Sequence, residues 1–262
     1  MKYFFNAKEA RMKISIVTPV YNGEKFIRRT MDSIHSQTGD FELEHIVCDG
    51  QSTDRTLEIL KEYPTAKVIS RKDGGPFNAI NYGMALATGE IGAWLNADDI
   101  YLPGTLQRVA AFFAEHPKIQ WLYGNCPIID AEDREIRKAV TLYKELIGFF
   151  YSRNVLLCEN FINQPATFWR MDLWRKTGGL TSTCVAAWDY ELWLQMSALA
   201  PAGRMRTDLA AFRRHEDSIS EKTFRRQFEE ELAIAKKYGS FLHYLIHKFN
   251  CWKIVTAYKL MS

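Results

Sequence analysis

The first half of the chain alternates short apolar runs with stretches of helical periodicity. The apolar runs are rich in β-branched residues and predict five strands, at residues 14–18, 45–48, 67–70, 91–95 and 119–123. Between the strands, apolar residues recur at three- and four-residue spacing, which predicts helices. This order is typical of a mostly parallel sheet with crossover helices on its faces. The sequence therefore predicts an α/β fold.

Cap and turn residues mark the expected ends of several helices. Residues 52–54 (Ser, Thr, Asp) are N-cap candidates for a helix that runs to Tyr63. Gly89 is the expected C′ residue of the next helix, and Pro103 suits the first turn of the helix after that.

Polar and acidic loops follow three of the predicted strands, at residues 18–23, 49–54 and 96–99. In an open α/β sheet, ligands bind at the carboxyl ends of the strands. We therefore expect these three loops to meet at one site.

Two adjacent carboxylates, Asp98 and Asp99, give the strongest indication of chemistry at that site. Two unpaired carboxylates are costly to bury, and a Mg²⁺ or Mn²⁺ ion with oxygen ligands would compensate their charge. Capping of the following helix explains the same pair, and both readings stay open at this stage.

Three further residues allow both a functional and a structural interpretation. Asp49 could accept a hydrogen bond from a nucleobase or ribose, or form an Asx-turn. Asp189 could be a general base, or an acid that complements the helix dipole. His215 could bind a metal or phosphate, or be a solvated surface residue. No G-x-G-x-x-G or P-loop motif accompanies them.

Composition narrows the class of protein. With 47% hydrophobic residues, 25% charged residues and a net charge of +3, the chain is an ordinary globular protein and not a nucleic-acid binder. Its five cysteines are scattered, without a C-x-x-C pair, which argues against a disulfide framework or a zinc site and favours a reducing compartment. No signal peptide or spanning segment is evident. We expect a cytoplasmic protein, either soluble or peripheral to the inner face of the cell membrane.

The ordered set of segments closely resembles the family-2 glycosyltransferases of GT-A fold. The resemblance covers residues 13–220, with a nucleotide-binding half at 13–125 and an acceptor-binding half at 126–220. Residues 1–12 form an N-terminal extension, and 221–262 are expected to be C-terminal amphipathic helices. The resemblance rests on residues 15–23, 47–54, 81–90, 95–99, 164–168, 188–193 and His215.

The resemblance implies a role for each matching residue. Asp189 matches the catalytic base. The implied metal-side residues are Asp99 as direct ligand, with Asp98 and His215. The implied nucleotide contacts are Thr18, Pro19, Tyr21, Asp49, Arg71, Asp73 and Asp98.

Several positions depart from the pattern of that family. Asn96 replaces the first acid of a D-x-D motif, and Gly50 replaces a second acid after Asp49. Gln195 stands at a position that is commonly basic, and residues 163–164 (Asn, Gln) replace a frequent His-Gln pair.

The activity that the resemblance implies is metal-dependent transfer of a sugar from a nucleotide sugar, with inversion. Mg²⁺ or Mn²⁺ would act as a Lewis acid on the leaving diphosphate, while Asp189 accepts the proton of the acceptor hydroxyl. Glu191 stays open as a second carboxylate. A UDP-sugar is the expected donor, and a saccharide or polyprenyl-linked molecule the expected acceptor. A sugar nucleotidyltransferase and a non-catalytic binding module are the alternatives.

The C-terminal segment combines apolar and basic residues. Residues 221–238 predict a helix that ends at Gly239, and eight large apolar residues follow between Phe241 and Val255. From Leu232 onward the chain has five lysines and no acid. This pattern favours contact of residues 240–262 with an anionic membrane surface. Packing on the catalytic domain, or on a second subunit in a homo-oligomer, would also explain it.

Overall fold

The computed structural model describes residues 11–181, 184–216, 218 and 223–261. The expected N-terminal extension therefore lies outside the described residues, except for its last two positions. The described residues form eleven strands: β1 (Met12–Val20), β2 (Phe41–Asp49), β3 (Lys67–Ser70), β4 (Ile91–Trp94), β5 (Ile100–Tyr101), β6 (Trp121–Asn125), β7 (Ile128–Ile129), β8 (Glu135–Ile136), β9 (Thr167–Arg170), β10 (Gly203–Asp208) and β11 (Ala210–Arg213).

The same residues form ten α-helices and one 3₁₀ turn, Gln164–Ala166. The helices are α1 (Ile27–His35), α2 (Thr56–Leu60), α3 (Pro76–Leu86), α4 (Thr105–Glu115), α5 (Lys138–Phe149), α6 (Arg153–Cys158), α7 (Met171–Thr177), α8 (Trp188–Leu199), α9 (Phe224–Tyr238) and α10 (Phe241–Met261).

A seven-stranded sheet forms the centre of the molecule, in the order β10-β6-β9-β4-β1-β2-β3. Neighbouring strands in this sheet are parallel, except that β9 runs antiparallel to both β4 and β6. This confirms the α/β fold with a mostly parallel central sheet. A second sheet, in the order β5-β11-β7-β8, was not apparent from the sequence because three of its strands have only two residues.

The carboxyl ends of β1, β2 and β4 lie side by side, because β1 pairs in parallel with both other strands. Val20 is aligned with Asp49, and Val17 with Trp94. The three polar loops that follow these strands therefore meet at one edge of the sheet, as the sequence predicted.

One hydrophobic core joins the two halves of the predicted catalytic domain. The indole of Trp193, on α8, stacks between those of Trp94 and Trp121, with both ring centroids 5.9 Å away. All three side chains are buried. Because α8 begins one residue before Asp189, this stacking holds the predicted catalytic acid in a fixed position relative to β4.

Helix α2 is shorter than predicted. It spans Thr56–Leu60, with Arg55 and not one of residues 52–54 at its N-cap. The hydroxyl of Ser52 and the carboxylate of Asp54 instead accept hydrogen bonds from the backbone of residues 22 and 24, in the loop after β1. Asp54 also accepts the amide of Thr56, the first residue of α2, at 3.0 Å, so it both connects the two loops and supports the start of the helix.

Gly89 is not the C′ residue that the sequence predicted, since α3 ends at Leu86 and the φ of Gly89 is not positive. The residue lies against β1, where its amide donates to Ser15 Oγ over 2.8 Å. A Cβ atom at this position would lie 2.8 Å from the carbonyl oxygen of Lys13. Glycine is therefore required by the close approach of two backbones and not by turn geometry.

The two C-terminal helices pack on the catalytic domain. Helix α9 ends at Tyr238, directly before Gly239 as predicted, and α10 contacts α6 through the buried residues His247 and Cys251. The opposite face of α10 exposes six large apolar side chains, Phe241, Leu242, Leu245, Ile246, Phe249 and Trp252. In the part of the chain that the structure describes, no helix meets the length and apolarity needed for a membrane span.

We predict that Gly89→Ala lowers the free energy of unfolding by about 1–3 kcal/mol, the usual cost of forcing an extra methyl group into a packed site. Gly148→Ala is the matched control, because a Cβ there has its nearest neighbour at an ordinary 3.5 Å. Inside α5 that change should raise stability by about 0.5–1 kcal/mol. Denaturant unfolding of both variants measures the difference, and equal stabilities would contradict the packing constraint at Gly89.

Candidate active site

A cleft of about 1500 Å³ opens at the carboxyl edge of the sheet. At one end it is lined by the loops after β1, β2 and β4, and at the other end by α5, α9 and α10. Asp98, His215 and Asp189 all line this one cleft. The structure thus brings together three residues that are widely separated in the sequence.

The two adjacent acids after β4 occupy different environments. Asp98 lines the cleft, and its Oδ2 lies 3.0 Å from Nε2 of His215. Asp99 is fully buried, with Oδ1 accepting from the backbone amide of Arg213 at 2.9 Å and Oδ2 from the side-chain amide of Asn96 at 3.1 Å. Burial, and secondly the nearby charge of Asp98, hold the pKa of Asp99 well above its usual range. The prediction of Asp99 as direct metal ligand therefore does not agree with its position.

Arg213, which the sequence analysis missed, holds this acidic loop in place. Its guanidinium is fully buried, donates to the carbonyl oxygens of Asp98 at 2.8 Å and Asp130 at 2.7 Å, and forms an ion pair with Asp133. It also stacks over the ring of Phe26, 4.9 Å from the centroid. Strand β11 has only four residues, which is too short for the sequence pattern to show that Arg213 is buried.

Asp98 and His215 provide a donor set that fits a divalent cation. The imidazole of His215 is packed against Phe26 at 4.6 Å, and its Nδ1 is a buried nitrogen without a hydrogen-bond partner among the described residues. A carboxylate oxygen and an imidazole nitrogen that face one cleft suit Mg²⁺ or Mn²⁺. The residues present thus fit the metal that the resemblance implies, and Asp98 and His215 are the candidate ligands.

Asn96 has a clear structural purpose at the position where the family often has an acid. Its side-chain amide donates both to Asp99 and to Oε1 of Gln164, the latter at 3.2 Å. Gln164 in turn donates to the carbonyl oxygen of Trp94 at 2.7 Å. An aspartate at position 96 would remove this N–H donor and place a further carboxylate beside the buried Asp99.

Of the predicted contacts at the end of β1 and in the loop after it, Pro19 and Tyr21 line the cleft, and the side chain of Tyr21 is 66% exposed. Thr18 is fully buried, and its hydroxyl pairs with Nε2 of His45 at 3.0 Å. Side chains alternate between the two faces of a strand, so Thr18 points into the sheet packing and away from the cleft. Thr18 is therefore not positioned to contact a nucleotide.

Two other predicted nucleotide contacts also lie away from the cleft surface. The carboxylate of Asp49 is buried and accepts from Ser70 Oγ at 2.5 Å and from the backbone amide of Ser52 at 3.2 Å. The guanidinium of Arg71 stacks on the ring of Tyr82, 4.0 Å from its centroid. Asp49 supports the loop after β2, and the Asx-turn interpretation accounts for its contact with Ser52. The side chain of Arg71 packs on α3.

Asp73 and Gly50 line the cleft together. Asp73 Oδ1 accepts from the backbone amide of Gly75 at 2.8 Å. A Cβ at Gly50 would lie 3.4 Å from Oδ2 of Asp73 and 3.5 Å from Cβ of Tyr21. An acidic side chain at position 50 would therefore be placed against Asp73, which gives a physical reason for glycine there. Three basic residues line this end of the cleft, Lys25, Lys72 and Arg214.

The loops after β1 and β2 are joined by reciprocal hydrogen bonds. The backbone amide of Asn22 donates to Ser52 Oγ at 2.8 Å, and Asn22 Oδ1 accepts from the amide of Thr53 at 2.8 Å. The amide of Gly23 donates to Thr56 Oγ1 at 2.8 Å. This network fixes the wall that carries Tyr21.

Asp189 lies in the first turn of α8, and its Oδ1 accepts from the amide of Tyr190 at 2.7 Å. Burial, and to a smaller extent the carboxylate of Glu231, raise the pKa of Asp189 to about 7, while the hydrogen bond from the Tyr190 amide and the charge of Lys144 oppose the shift. A carboxyl group with a pKa near neutrality, facing a cleft, is suited to general acid–base chemistry.

Glu191 does not share this environment. Its buried carboxylate accepts from Lys237 Nζ at 2.7 Å and from Tyr238 Oη at 2.9 Å, on the side of α8 that faces α9. Glu191 is not among the residues that line the cleft. Asp189 is therefore the better positioned of the two carboxylates for catalysis.

Comparison with known proteins identifies the family of the chain. A model of the family described as Glycosyl transferase family 2 matches residues 15–175. A PGL/p-HBAD biosynthesis glycosyltransferase of Mycobacterium bovis is 34% identical over 187 residues, which are 68% of this chain and 68% of that protein. A glycosyltransferase of Nostoc sp. is 33% identical over 135 residues, and this chain spans only 41% of its length.

Two solved structures share the fold. The crystal structure of S. aureus TarS 1–349 in complex with UDP-GlcNAc has a TM-score of 0.67 and 22% identity, over 85% of this chain and 66% of that one. The mannosyltransferase PcManGT of Pyrobaculum calidifontis, in complex with GDP-Man and Mn²⁺, has a TM-score of 0.66 and 19% identity, over 88% and 66%. The chain therefore belongs to glycosyl transferase family 2 and is a glycosyltransferase of GT-A fold.

Proposed function

We propose that the protein transfers a sugar from a nucleotide-sugar donor to a hydroxyl group of a saccharide or lipid-linked acceptor, with inversion and with a divalent metal. One observation carries this proposal: Asp189, whose pKa lies near neutrality, lines the same cleft as the Asp98–His215 pair. A base and a metal site in one cleft are what a single displacement at a sugar carbon requires.

Asp98 and His215 are the residues that would hold Mg²⁺ or Mn²⁺. When bound there, the metal supplies Lewis-acid stabilisation of the negative charge that develops on the leaving diphosphate. The role of Asp99 is to position Asp98: it accepts the amide of Arg213, whose side chain is bonded to the carbonyl of Asp98. Lys25, Lys72 and Arg214 add positive charge along the path of the diphosphate.

Asp189 would accept the proton of the acceptor hydroxyl. Its Oδ1 is engaged by the amide of Tyr190, which leaves Oδ2 for the substrate. The acceptor oxygen attacks the anomeric carbon as the bond to the diphosphate breaks on the opposite face, so the anomeric configuration inverts. Glu191 is paired with Lys237, which argues against Glu191 as a nucleophile that forms a covalent intermediate.

A UDP-sugar is the donor that we propose. Support comes from TarS, which was crystallised with UDP-GlcNAc, although PcManGT was crystallised with GDP-Man. The exposed ring of Tyr21 offers a stacking surface for a base, and Asp73 offers an acceptor beside it. The loop at residues 19–24 is neither glycine-rich nor basic, which favours transfer over the nucleotidyltransferase alternative.

We also propose that α10 binds an anionic membrane surface. Its exposed face carries Phe241, Phe249 and Trp252, which are 75%, 57% and 62% exposed. No acid occurs from Leu232 onward, so the charge of this segment is complementary to anionic headgroups. The cleft is lined by Lys253 and Ile254 of the same helix, which would place its mouth near a lipid-linked acceptor.

Asp189→Asn should bind the donor normally but transfer sugar ~10²-fold or more slowly, since the amide cannot take a proton. Glu191→Gln is the matched control on the same helix and should retain transfer within a few-fold. The assay incubates each variant with Mn²⁺ and a panel of nucleotide sugars and measures nucleoside diphosphate release. Near-normal release of nucleoside diphosphate by Asp189→Asn would show that another residue is the base. If no form of the protein releases nucleoside diphosphate, a non-catalytic module is favoured.

The pH dependence of kcat/KM should follow the ionisation of Asp189. Because the base acts only as a carboxylate, kcat/KM should rise tenfold per pH unit below a pKa of about 7 and level off above it. The charged groups that act on Asp189 are Glu231, which raises its pKa, and Lys144, which lowers it. A profile that is flat between pH 5 and pH 8 would contradict this assignment.

A double substitution, Phe249→Ser with Trp252→Ser, should abolish sedimentation with vesicles that contain anionic lipid at low salt. These side chains are exposed, so the fold should be unaffected, whereas removing all of α10 would also remove buried residues. Leu199→Ser, at a site that is 55% exposed on α8, is the control and should sediment like the unaltered protein. If the unaltered protein stays in solution but is dimeric, the exposed face is instead an interface between copies.

A further inference from the structure

A second group of metal-ligating side chains lines the same cleft, on the two C-terminal helices. It consists of Glu231 on α9 and of His247 and Cys251 on α10, and all three are buried. One ligand atom from each lies within 4.8 Å of the others. Residues four apart share one face of a helix, which is why His247 and Cys251 both point towards Glu231.

The hydrogen bonds of His247 direct its second nitrogen towards Glu231. Nδ1 lies 3.0 Å from the carbonyl oxygen of Leu157, which can only accept, so Nδ1 carries the proton. In a neutral imidazole, Nε2 then presents a lone pair, and it faces Oε2 of Glu231 at 3.6 Å. This distance is too long for a hydrogen bond, and two facing lone pairs repel unless a cation lies between them.

The carboxylate of Glu231 is oriented in the same manner. Its Oε1 accepts from the side-chain amides of Asn160 and Gln227, each at 3.0 Å. The other oxygen, Oε2, is thereby directed to His247. Outer hydrogen bonds that fix both a histidine and a carboxylate are the usual support of a metal site.

We propose that Glu231, His247 and Cys251 bind a zinc ion. One thiolate, one imidazole and one carboxylate form a donor set that favours Zn²⁺ over the oxygen-preferring Mg²⁺ or Mn²⁺. All three residues line the cleft, which would give a zinc ion a route to them. This site is separate from the Asp98–His215 pair, and its existence does not depend on the proposed transfer reaction.

The zinc ion would join the C-terminal helices to each other and to the catalytic domain. Glu231 belongs to α9, the other two ligands belong to α10, and the residues that orient them include Leu157 of α6 and Asn160 just after it. The ion would thus fix the wall of the cleft that stands next to Asp189. The scattered cysteines of the sequence gave no indication of this site, because two of its ligands are on one helix and the third is 16 positions earlier.

The test uses Co²⁺ and Zn²⁺ as probes on the full-length protein after treatment with a chelator. Titration with Co²⁺ should produce a near-ultraviolet sulfur-to-cobalt charge-transfer band, which the Asp98–His215 pair cannot give because it contains no sulfur. Cys251→Ser should lose the band, and Glu231→Gln should weaken it. Cys158→Ser, which alters a half-buried thiol nearby, and Asp98→Asn should both retain it.

Zinc should also stabilise the protein without any substrate. At zinc about a hundredfold above its Kd, the thermal midpoint should rise by about 5–10 °C in the unaltered protein and in Cys158→Ser. Cys251→Ser should show no rise. A circular dichroism spectrum confirms that this variant is folded, and if it is not, His247→Gln takes its place.

Three results would overturn the zinc site. The first is the absence of a cobalt band and of a zinc-dependent shift in the unaltered protein. The second is a band that survives Cys251→Ser, and the third is a band that Cys158→Ser removes. None of these measurements depends on sugar transfer, so failure of the zinc site and failure of the proposed function are distinguishable.

Discussion

The contacts of Arg213 with the loop after β4 separate two adjacent carboxylates into two environments. Its backbone amide binds Asp99 inside the protein, while its guanidinium binds the carbonyl of Asp98 and leaves that side chain facing the cleft. Since β11 ends at Arg213, the same strand also carries His215 to within 3.0 Å of Asp98. The proposed metal site therefore depends on a residue that does not itself reach the cleft.

The position of Asp189 in the cleft depends on packing of a different kind. The indole of Trp193 is held between Trp94, at the end of β4, and Trp121, at the start of β6. This stack positions α8, and with it Asp189, relative to the strand that leads to Asp98. The acid whose pKa is raised and the proposed metal ligand are therefore parts of one rigid core, which suits a reaction that needs both on opposite sides of one sugar carbon.

The sequence predicted the location of the site better than its individual residues. Parallel strands place their following loops at one edge, so the convergence of the loops after β1, β2 and β4 followed from the apolar pattern. Successive side chains of a strand point to opposite faces, so a shift of one residue decides whether a side chain at the strand end faces the cleft or the interior. That is why Pro19 and Tyr21 line the cleft while Thr18 does not, and why Asp98 does while Asp99 does not.

Other features required the three-dimensional structure because they join distant segments. Gly89 is needed for a backbone approach to β1, and Asn96 is needed to bridge Asp99 and Gln164. Neither requirement has a local pattern in the sequence. The same holds for the C-terminal helices. Their apolar content is evident from the sequence, but the burial of one face of α10 against α6 is not.

The most direct test of the division between Asp98 and Asp99 is calorimetric measurement of nucleoside diphosphate affinity with and without Mn²⁺. In Asp98→Asn the affinity should no longer depend on Mn²⁺, because a proposed ligand is lost. In Asp99→Asn, measured below the melting temperature of the variant, the affinity should still increase with Mn²⁺. This substitution changes only a buried positioning residue and leaves both proposed ligands in place. The opposite pattern, with Mn²⁺ dependence lost in Asp99→Asn and kept in Asp98→Asn, would contradict the proposed metal site.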